Sequence, residues 1–223
     1  MIITHPHADH IYDLPALQKK LTPEILIRPK DSFDIVPSKD TPLYRAIAEC
    51  ANKMNRDHNS HENSFKQPNI DGVDFEIIIP PLSETSKDDL NTFSIIVIVT
   101  YRGYKFVLTG DNPKSILQKM MDCNKDNFKQ KIADATVLLA PHHGRTGEFC
   151  KGFFSCVNPI LTVVSDKSIV HTTQEETSSF YKGSGAKLYG RYRYVLTTRN
   201  DGTITFRIAD ANNCTVSMNE EGY

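Results

Sequence analysis

Short apolar runs, each closed by proline, glycine or a charged cluster, set the rhythm of this chain. Runs rich in β-branched residues predict strands at residues 2–4, 25–27 (stopped by Pro29), 73–79 (stopped by Pro80 and Pro81), 93–101, 104–109, 136–140 and 160–164. Arg102-Gly103 between the fourth and fifth runs signals a tight hairpin. Helical spacing takes over elsewhere. Leu14, Leu17 and Leu21 share one face of a helix near residues 14–20, and Leu43, Ile47 and Cys50 share a face of one over 41–54. Further helices are predicted at 113–121, about 149–156 and 173–181. The chain closes with a Tyr-rich strand and a hairpin turning at Asn200-Asp201-Gly202. Residues 209–223 are polar and predict a loose tail, which leaves residues 1–208 as one domain. The polar stretch 52–69 predicts a surface loop. There is no internal repeat.

Composition narrows the picture. At 223 residues, one domain with a proper core is the natural count. Hydrophobic residues at 39% and charged residues at 24% are ordinary for a globular protein. The net charge of −1 supplies no global field to draw in a polyanion. The C-terminal third is locally richer: Lys151, Lys167, Lys182, Lys187, Arg191 and Arg193 alternate with Tyr181, Tyr189, Tyr192 and Tyr194. That pattern fits outward-facing cations on strands, and it also fits a track for nucleic acid. Five cysteines form no CxxC pair and read as reduced thiols, so a cytoplasmic location is expected. No basic-then-apolar leader is visible. The longest apolar run, 93–99, is far too short to span a bilayer.

Candidate chemistry concentrates in three short motifs. Thr4-His5-Pro6-His7-Ala8-Asp9-His10 packs three imidazoles and a carboxylate into six positions. Such groups bind borderline divalent cations such as zinc. In extended backbone alternate residues share a side, so His5 and His7 can grip one metal. Asp9 and His10 follow as the strand yields, and can face a second. The other motifs are Thr109-Gly110-Asp111 and Pro141-His142-His143-Gly144, each after a β-rich run. Asp111 suits a bridge between two cations, since its two oxygens can each take one. The same stretch also reads as a helix start, with Asp111 or Asn112 capping and Pro113 in the first turn.

In combination HxHxDH, TGD and PHHG resemble the metallo-β-lactamase fold superfamily. More narrowly the chain is similar to the soluble hydrolase domain of ComEC-type DNA-uptake proteins. The supporting stretches are Asn91-Thr92-Phe93-Ser94, IIVIVTYRGYKFVLTGD, VLLAPHHG, Val157-Asn158-Pro159-Ile160, His171, and VLTTRNDGTITF from Val195 to Phe206. The resemblance implies an α/β (α+β) fold, an αββα sandwich with a dinuclear site at one edge. It implies hydrolysis by a metal-bound hydroxide, with two divalent ions, zinc first and manganese second. His5 and His7 would bind the first metal, Asp9 and His10 the second, and Asp111 would bridge. His142 is favoured over His143 to complete the second site. Asp9, His143 and His171 are the catalytic candidates, with Arg145 and Asn91 as substrate contacts.

Three departures from the pattern matter. The superfamily's further histidine before the bridging Asp has only His58 and His61 as candidates here. Arg145 follows HHG where a Ser is frequent, and its fork suits phosphate or carboxylate. The chain also starts almost at the first motif, so an αββα sandwich lacking its first strands is expected: a truncated gene model, a fragment, or a chain whose partner or second copy completes the sheet. The expected substrate is a phosphodiester in a nucleic acid, nucleotide or lipid head group. The alternatives are a thioesterase or glyoxalase-type enzyme, an iron oxidoreductase, or a non-catalytic truncated domain.

Overall fold

The computed structural model describes residues 1–21, 26–29, 57–58, 65–66, 71–86, 88–167 and 177–219. Its centre is a seven-stranded mixed sheet ordered β11-β8-β7-β6-β5-β4-β3. The strands are β3 (Phe65–Lys66), β4 (Val73–Ile78), β5 (Ile96–Tyr101), β6 (Tyr104–Leu108), β7 (Val137–Leu139), β8 (Leu161–Val164) and β11 (Val195–Thr197). From β3 to β6 neighbours run antiparallel, and from β6 to β11 they run parallel. The Arg102-Gly103 hairpin forms as expected, with Tyr101 opposite Tyr104.

The continuous apolar run of β5 is explained by cover on both faces. Ile96 and Ile98, with Val107 of β6, enter the larger core with Ile116, Leu117, Met120 and Met121. Those four lie on one face of α3 (Lys114–Cys123), which ends at Asn124 in the left-handed region. α4 (Phe128–Ile132) and α5 (Lys151–Val157) complete that helical layer through Phe128, Ile132, Phe153 and Val157. On the opposite face Ile77, Ile95 and Val97 pack with Ile27, joined by Ile2 and Leu108. Ile27 belongs to β1 (Leu26–Ile27), which pairs in parallel with β2 (Asp57–His58) and bridges Ile2. A helical layer, a large sheet and a smaller strand layer are therefore stacked among the described residues.

Three expectations change. The stretch predicted as a surface loop contains β2 and β3, and β3 pairs with β4 through Phe65 and Ile77. The predicted hairpin at Asn200-Asp201-Gly202 is instead a helical turn, α7 (Thr198–Asp201). Its cause is Asp201, whose buried carboxylate accepts from both the Arg193 guanidinium (2.7 and 2.8 Å) and the Thr197 amide (2.8 Å). The hairpin lies further on, where β12 (Thr203–Asp210) pairs with β13 (Asn213–Asn219), so residues 213–219 of the expected loose tail form a strand. Phe206 anchors this hairpin against Phe106 of β6, edge to face at 5.5 Å. A smaller hairpin joins β9 (Ala186–Leu188) to β10 (Arg191–Arg193). The helix expected at 41–54 lies outside the described residues, and of the one at 173–181 the described part is α6 (Thr177–Phe180).

Candidate metal centre

The centre forms where three backbone segments meet. Ile3 donates to the Ile27 carbonyl at 2.9 Å, and Ile95 donates to the Thr4 carbonyl at 3.2 Å, so the first motif is laced into both strand layers. α1 (Ala8–Ile11) begins directly after and turns Asp9 and His10 back towards His5. The second segment leaves β6 at Thr109, whose hydroxyl donates to the Leu139 carbonyl at 2.8 Å. Gly110 follows with a φ of +55°, and a Cβ there would stand 3.0 Å from Thr4 Cβ and 3.2 Å from Ser94 Cβ. Only a residue without a side chain lets these loops approach so closely.

Asp111, almost fully buried, does not cap α3. Its amide donates to the Ser94 hydroxyl at 3.2 Å, and its carboxylate faces the histidines. The Asn112 amide donates to the Ser94 and Thr109 carbonyls (2.6 and 2.8 Å). Glu148 supplies the acceptor for the first α3 amide, that of Lys114, at 2.8 Å. The third segment, after β7, carries His142 and His143 at φ +49° and +55°. Such consecutive left-handed conformations are costly for residues with a Cβ and cluster at functional sites. The His142 amide donates to the Gly110 carbonyl at 3.2 Å, tying the second and third segments together.

The ligand atoms of Asp9, His10, Asp111 and His143 all lie within 4.8 Å of one another. Asp111 Oδ2 stands 3.3 Å from His10 Nε2, 3.4 Å from His143 Nε2 and 3.8 Å from His5 Nε2. Asp9 Oδ2 is 3.3 Å from His143 Nε2. The structure thus brings His143, not His142, to the carboxylates. The reason is the twisted loop, which sends the adjacent rings apart: His142 Nδ1 points at Glu148, 4.0 Å away. His7 stays beside the cluster, with its ring centroid 4.9 Å from that of His5. His171 lies outside the described residues, as does His61, and nothing of the His58 side chain is described.

Sequence reasoning did not assign Ser165. Its carbonyl accepts from His143 Nδ1 at 2.7 Å, so Nε2 is the nitrogen turned to the carboxylates. Ser165 is held in turn by its neighbour Asp166, which accepts from the Arg199 amide (2.9 Å) and guanidinium. The Thr198 hydroxyl donates to the Asp166 carbonyl at 2.8 Å. Nothing in the local sequence around Asp166 announces this, because its partners are 32 and 33 positions away.

Electrostatics sharpen the arrangement. Burial pushes the Asp111 carboxyl up, but the His10 and His143 imidazoles outweigh it and hold the group well below the usual carboxylate range. The reciprocal contact with Asp111 raises His143 to about 9, against the opposing effect of burial. Burial, reinforced by His10, lowers His5 to about 3, so its ring is neutral at any ordinary pH. His5 Nε2 and His10 Nε2 are buried atoms that make no hydrogen bond among the described residues. Buried polar atoms are normally satisfied, and nitrogens left open around a buried carboxylate are what a cation would complete. The donor set, imidazoles and carboxylates without thiolates, fits a divalent metal of the zinc or manganese kind.

Fold and site together define a class: a mixed α/β protein with a candidate His/Asp metal centre at the edge of its sheet. Residues 1–147 match the family model described as the metallo-beta-lactamase superfamily, and the chain belongs to that superfamily. Its members are hydrolases, and the fold binds divalent metals, often zinc. Two solved structures are similar to this chain. One is Zn(2+)-bound PqqB from Methylobacterium extorquens, at 12% identity and a TM-score of 0.39, covering 83% of this chain and 54% of that one. The other is unliganded yeast PDE1, at 10% identity and a TM-score of 0.44, covering 87% and 65%. The chain thus spans between half and two thirds of the length of these structures. No curated protein matches it. Among the described residues no helix is long and apolar enough to cross a membrane.

Proposed function

We propose that this chain is a metal-dependent phosphodiesterase of the metallo-beta-lactamase superfamily, related to the soluble hydrolase domain of ComEC-type proteins. The observation that carries the metal reading is the convergence of Asp9, His10, Asp111 and His143, with the open nitrogens of His5 and His10 beside them. Asp9, His10 and His143 would hold one ion, His5 and His7 a second, and Asp111 would serve both. His143 replaces His142 in this assignment. When bound, such ions acidify water and neutralise charge on phosphoryl oxygens.

The chain's own residues do the rest. Ser165 keeps the His143 Nδ1 proton in place, so that Nε2 is presented as a lone pair. Asp9, half-exposed, stands at the open side of the cluster, where it can accept a proton from an incoming water. Arg145 and Asn91 are the substrate contacts of this reading. Arg145 Nε and Asn91 Oδ1 are both buried without a hydrogen-bond partner among the described residues. The guanidinium suits a phosphodiester oxygen. The described cysteines are free thiols, which suits a reducing, cytoplasmic setting.

The test is elemental analysis with turnover of bis-p-nitrophenyl phosphate on the same sample. About two zinc or manganese ions per chain with turnover is the expected result. A metal-loaded protein that cleaves thioesters but not phosphodiesters overturns the substrate, and a protein that takes up no metal overturns the whole reading.

A further inference from the structure

The β9–β10 hairpin carries a face that the metal centre does not use. Between residues 177 and 200 stand five cations (Lys182, Lys187, Arg191, Arg193 and Arg199) and no Asp or Glu, in a chain of net charge −1. Arg193 and Arg199 are engaged by Asp201 and Asp166. Lys182, Lys187 and Arg191 are exposed, and among the described residues they pair with no carboxylate. The hairpin register sets Tyr192 opposite Lys187, so both project from the same face. Tyr194, two positions on, shares that side and stacks with Tyr192, with centroids 6.5 Å apart and planes at 29°. Lys182 Nζ sits 4.4 Å from the Tyr194 centroid. The result is a row, Lys182–Tyr194–Tyr192–Lys187, with an ammonium at each end of two stacked rings. Tyr192 is 65% exposed, so its ring is open to a further stacking partner.

The row lies at the far end of the sheet from the metal centre. Ser184 and Gly185 donate to the Pro159 and Ile160 carbonyls (3.0 and 2.9 Å), just before β8. Ser165, which orients His143, comes just after β8. The length of β8 separates the two, about 13 Å for four residues. The hairpin is held firmly enough to present its face: its tip residue Tyr189 donates to the Val216 carbonyl of β13 at 3.4 Å.

We propose that this face binds single-stranded nucleic acid, with a base stacked on Tyr192 and flanking phosphates at Lys182 and Lys187. The chemistry that selects this partner is the pairing of an exposed aromatic plane with cations on both sides. A base offers a π-face and its neighbours offer phosphates, whereas charge alone would serve any polyanion. The inference goes beyond phosphodiester hydrolysis and does not depend on it, since a strand could be held here whatever the distant centre does.

The test is fluorescence anisotropy of a labelled oligothymidylate of about 20 nucleotides, longer than one typical single-strand site, with the full chain in excess chelator so that no cleavage occurs. Expected is binding that weakens as salt rises. Tyr192→Ala should weaken it by about fivefold to a hundredfold, while Tyr192→Phe, which keeps the ring, stays near the parent. Lys187→Glu should weaken binding and flatten its salt dependence. No binding, a phenylalanine variant as weak as the alanine one, or equal binding to duplex of the same length overturns the proposal. So does binding to anionic vesicles in place of the oligonucleotide. Oligonucleotide binding without any phosphodiester turnover in the metal-loaded protein leaves this inference standing and removes the hydrolase reading. Turnover of bis-p-nitrophenyl phosphate without oligonucleotide binding does the reverse.

Discussion

Replacing Gly110 with alanine tests whether close approach of the loops builds the centre. The new Cβ would sit 3.0 Å from Thr4 Cβ and 3.2 Å from Ser94 Cβ. Both neighbours are fixed to backbone and cannot swing aside. Such overpacking costs about 1–3 kcal/mol. The left-handed φ adds about 1–2 kcal/mol for a residue with a Cβ. The loss of glycine's freedom in the unfolded chain returns about 0.4–1 kcal/mol. The net is about 1–5 kcal/mol, near 3 at mid-range. For a chain of this length each kcal/mol moves Tm by about 2–4 °C, so a drop of roughly 10 °C is expected.

Gly103 supplies the control. Its φ is +85°, but a Cβ there meets nothing within 4 Å. Gly103→Ala therefore carries the conformational strain without the collision, and should cost about 1 kcal/mol. Thermal unfolding of both variants isolates the steric part. Metal content then connects it to the site, because Thr4 precedes His5 and Ser94 holds the Asp111 amide. Gly110→Ala should bind less metal while Gly103→Ala binds the parental amount. Equal Tm losses in the two variants, with equal metal content, would refute the reasoning.

Three further outcomes follow from the same geometry. Asp111→Asn should lower metal stoichiometry while leaving the far-ultraviolet circular dichroism of the metal-free protein near the parent. Full stoichiometry in that variant, by elemental analysis, would remove Asp111 from the ligand set. His143, raised to about 9 in the fold from 6.5, must shed its proton to ligate, so metal affinity should climb between pH 6.5 and 9. Its contribution to the stability of the metal-free protein has the opposite course: fully present below about pH 6.5, and lost as pH rises through 9. Calorimetric titration and thermal melts across that window check both signs. Arg199→Met should loosen Asp166 and weaken metal binding several-fold, about tenfold being typical for a lost outer partner; unchanged affinity alongside a lowered Tm would make the ion pair purely structural.

Legibility in the sequence followed the range of the interactions. The HxHxDH cluster was visible because three imidazoles and a carboxylate fall within six positions, and the strands before Asp111 and the PHHG loop because their apolar runs are bounded by glycine and proline. The choice between His142 and His143 was not visible. The ring that faces the carboxylates is set by two left-handed residues in a row, which no propensity predicts for histidine. The role of Asn112 was misread for a related reason: its cap-like context is local, while its partners Ser94 and Thr109 are fixed by strand pairing. Asp201 sits in a sequence that reads as a hairpin turn, and its contacts with the Arg193 guanidinium and the Thr197 amide convert it into a helical one.

The parallel half of the sheet explains why one edge gathers Asp111, His143 and the groups that support them. Strands β6, β7, β8 and β11 run side by side in the same direction, so the loops that follow them open on one edge, where open α/β sheets place their sites. Each loop supports the one before it. After β6 comes Asp111, the carboxylate at the centre. After β7 comes His143, which faces that carboxylate. After β8 comes Ser165, whose carbonyl fixes the His143 ring. After β11 come Thr198 and Arg199, which hold Asp166 and with it Ser165. Strand order thus becomes an order of support, from the carboxylate and imidazole of the candidate metal centre out to Arg199. A substitution at the outermost strand should therefore be felt as a change in metal affinity, even though Arg199 never meets the ion.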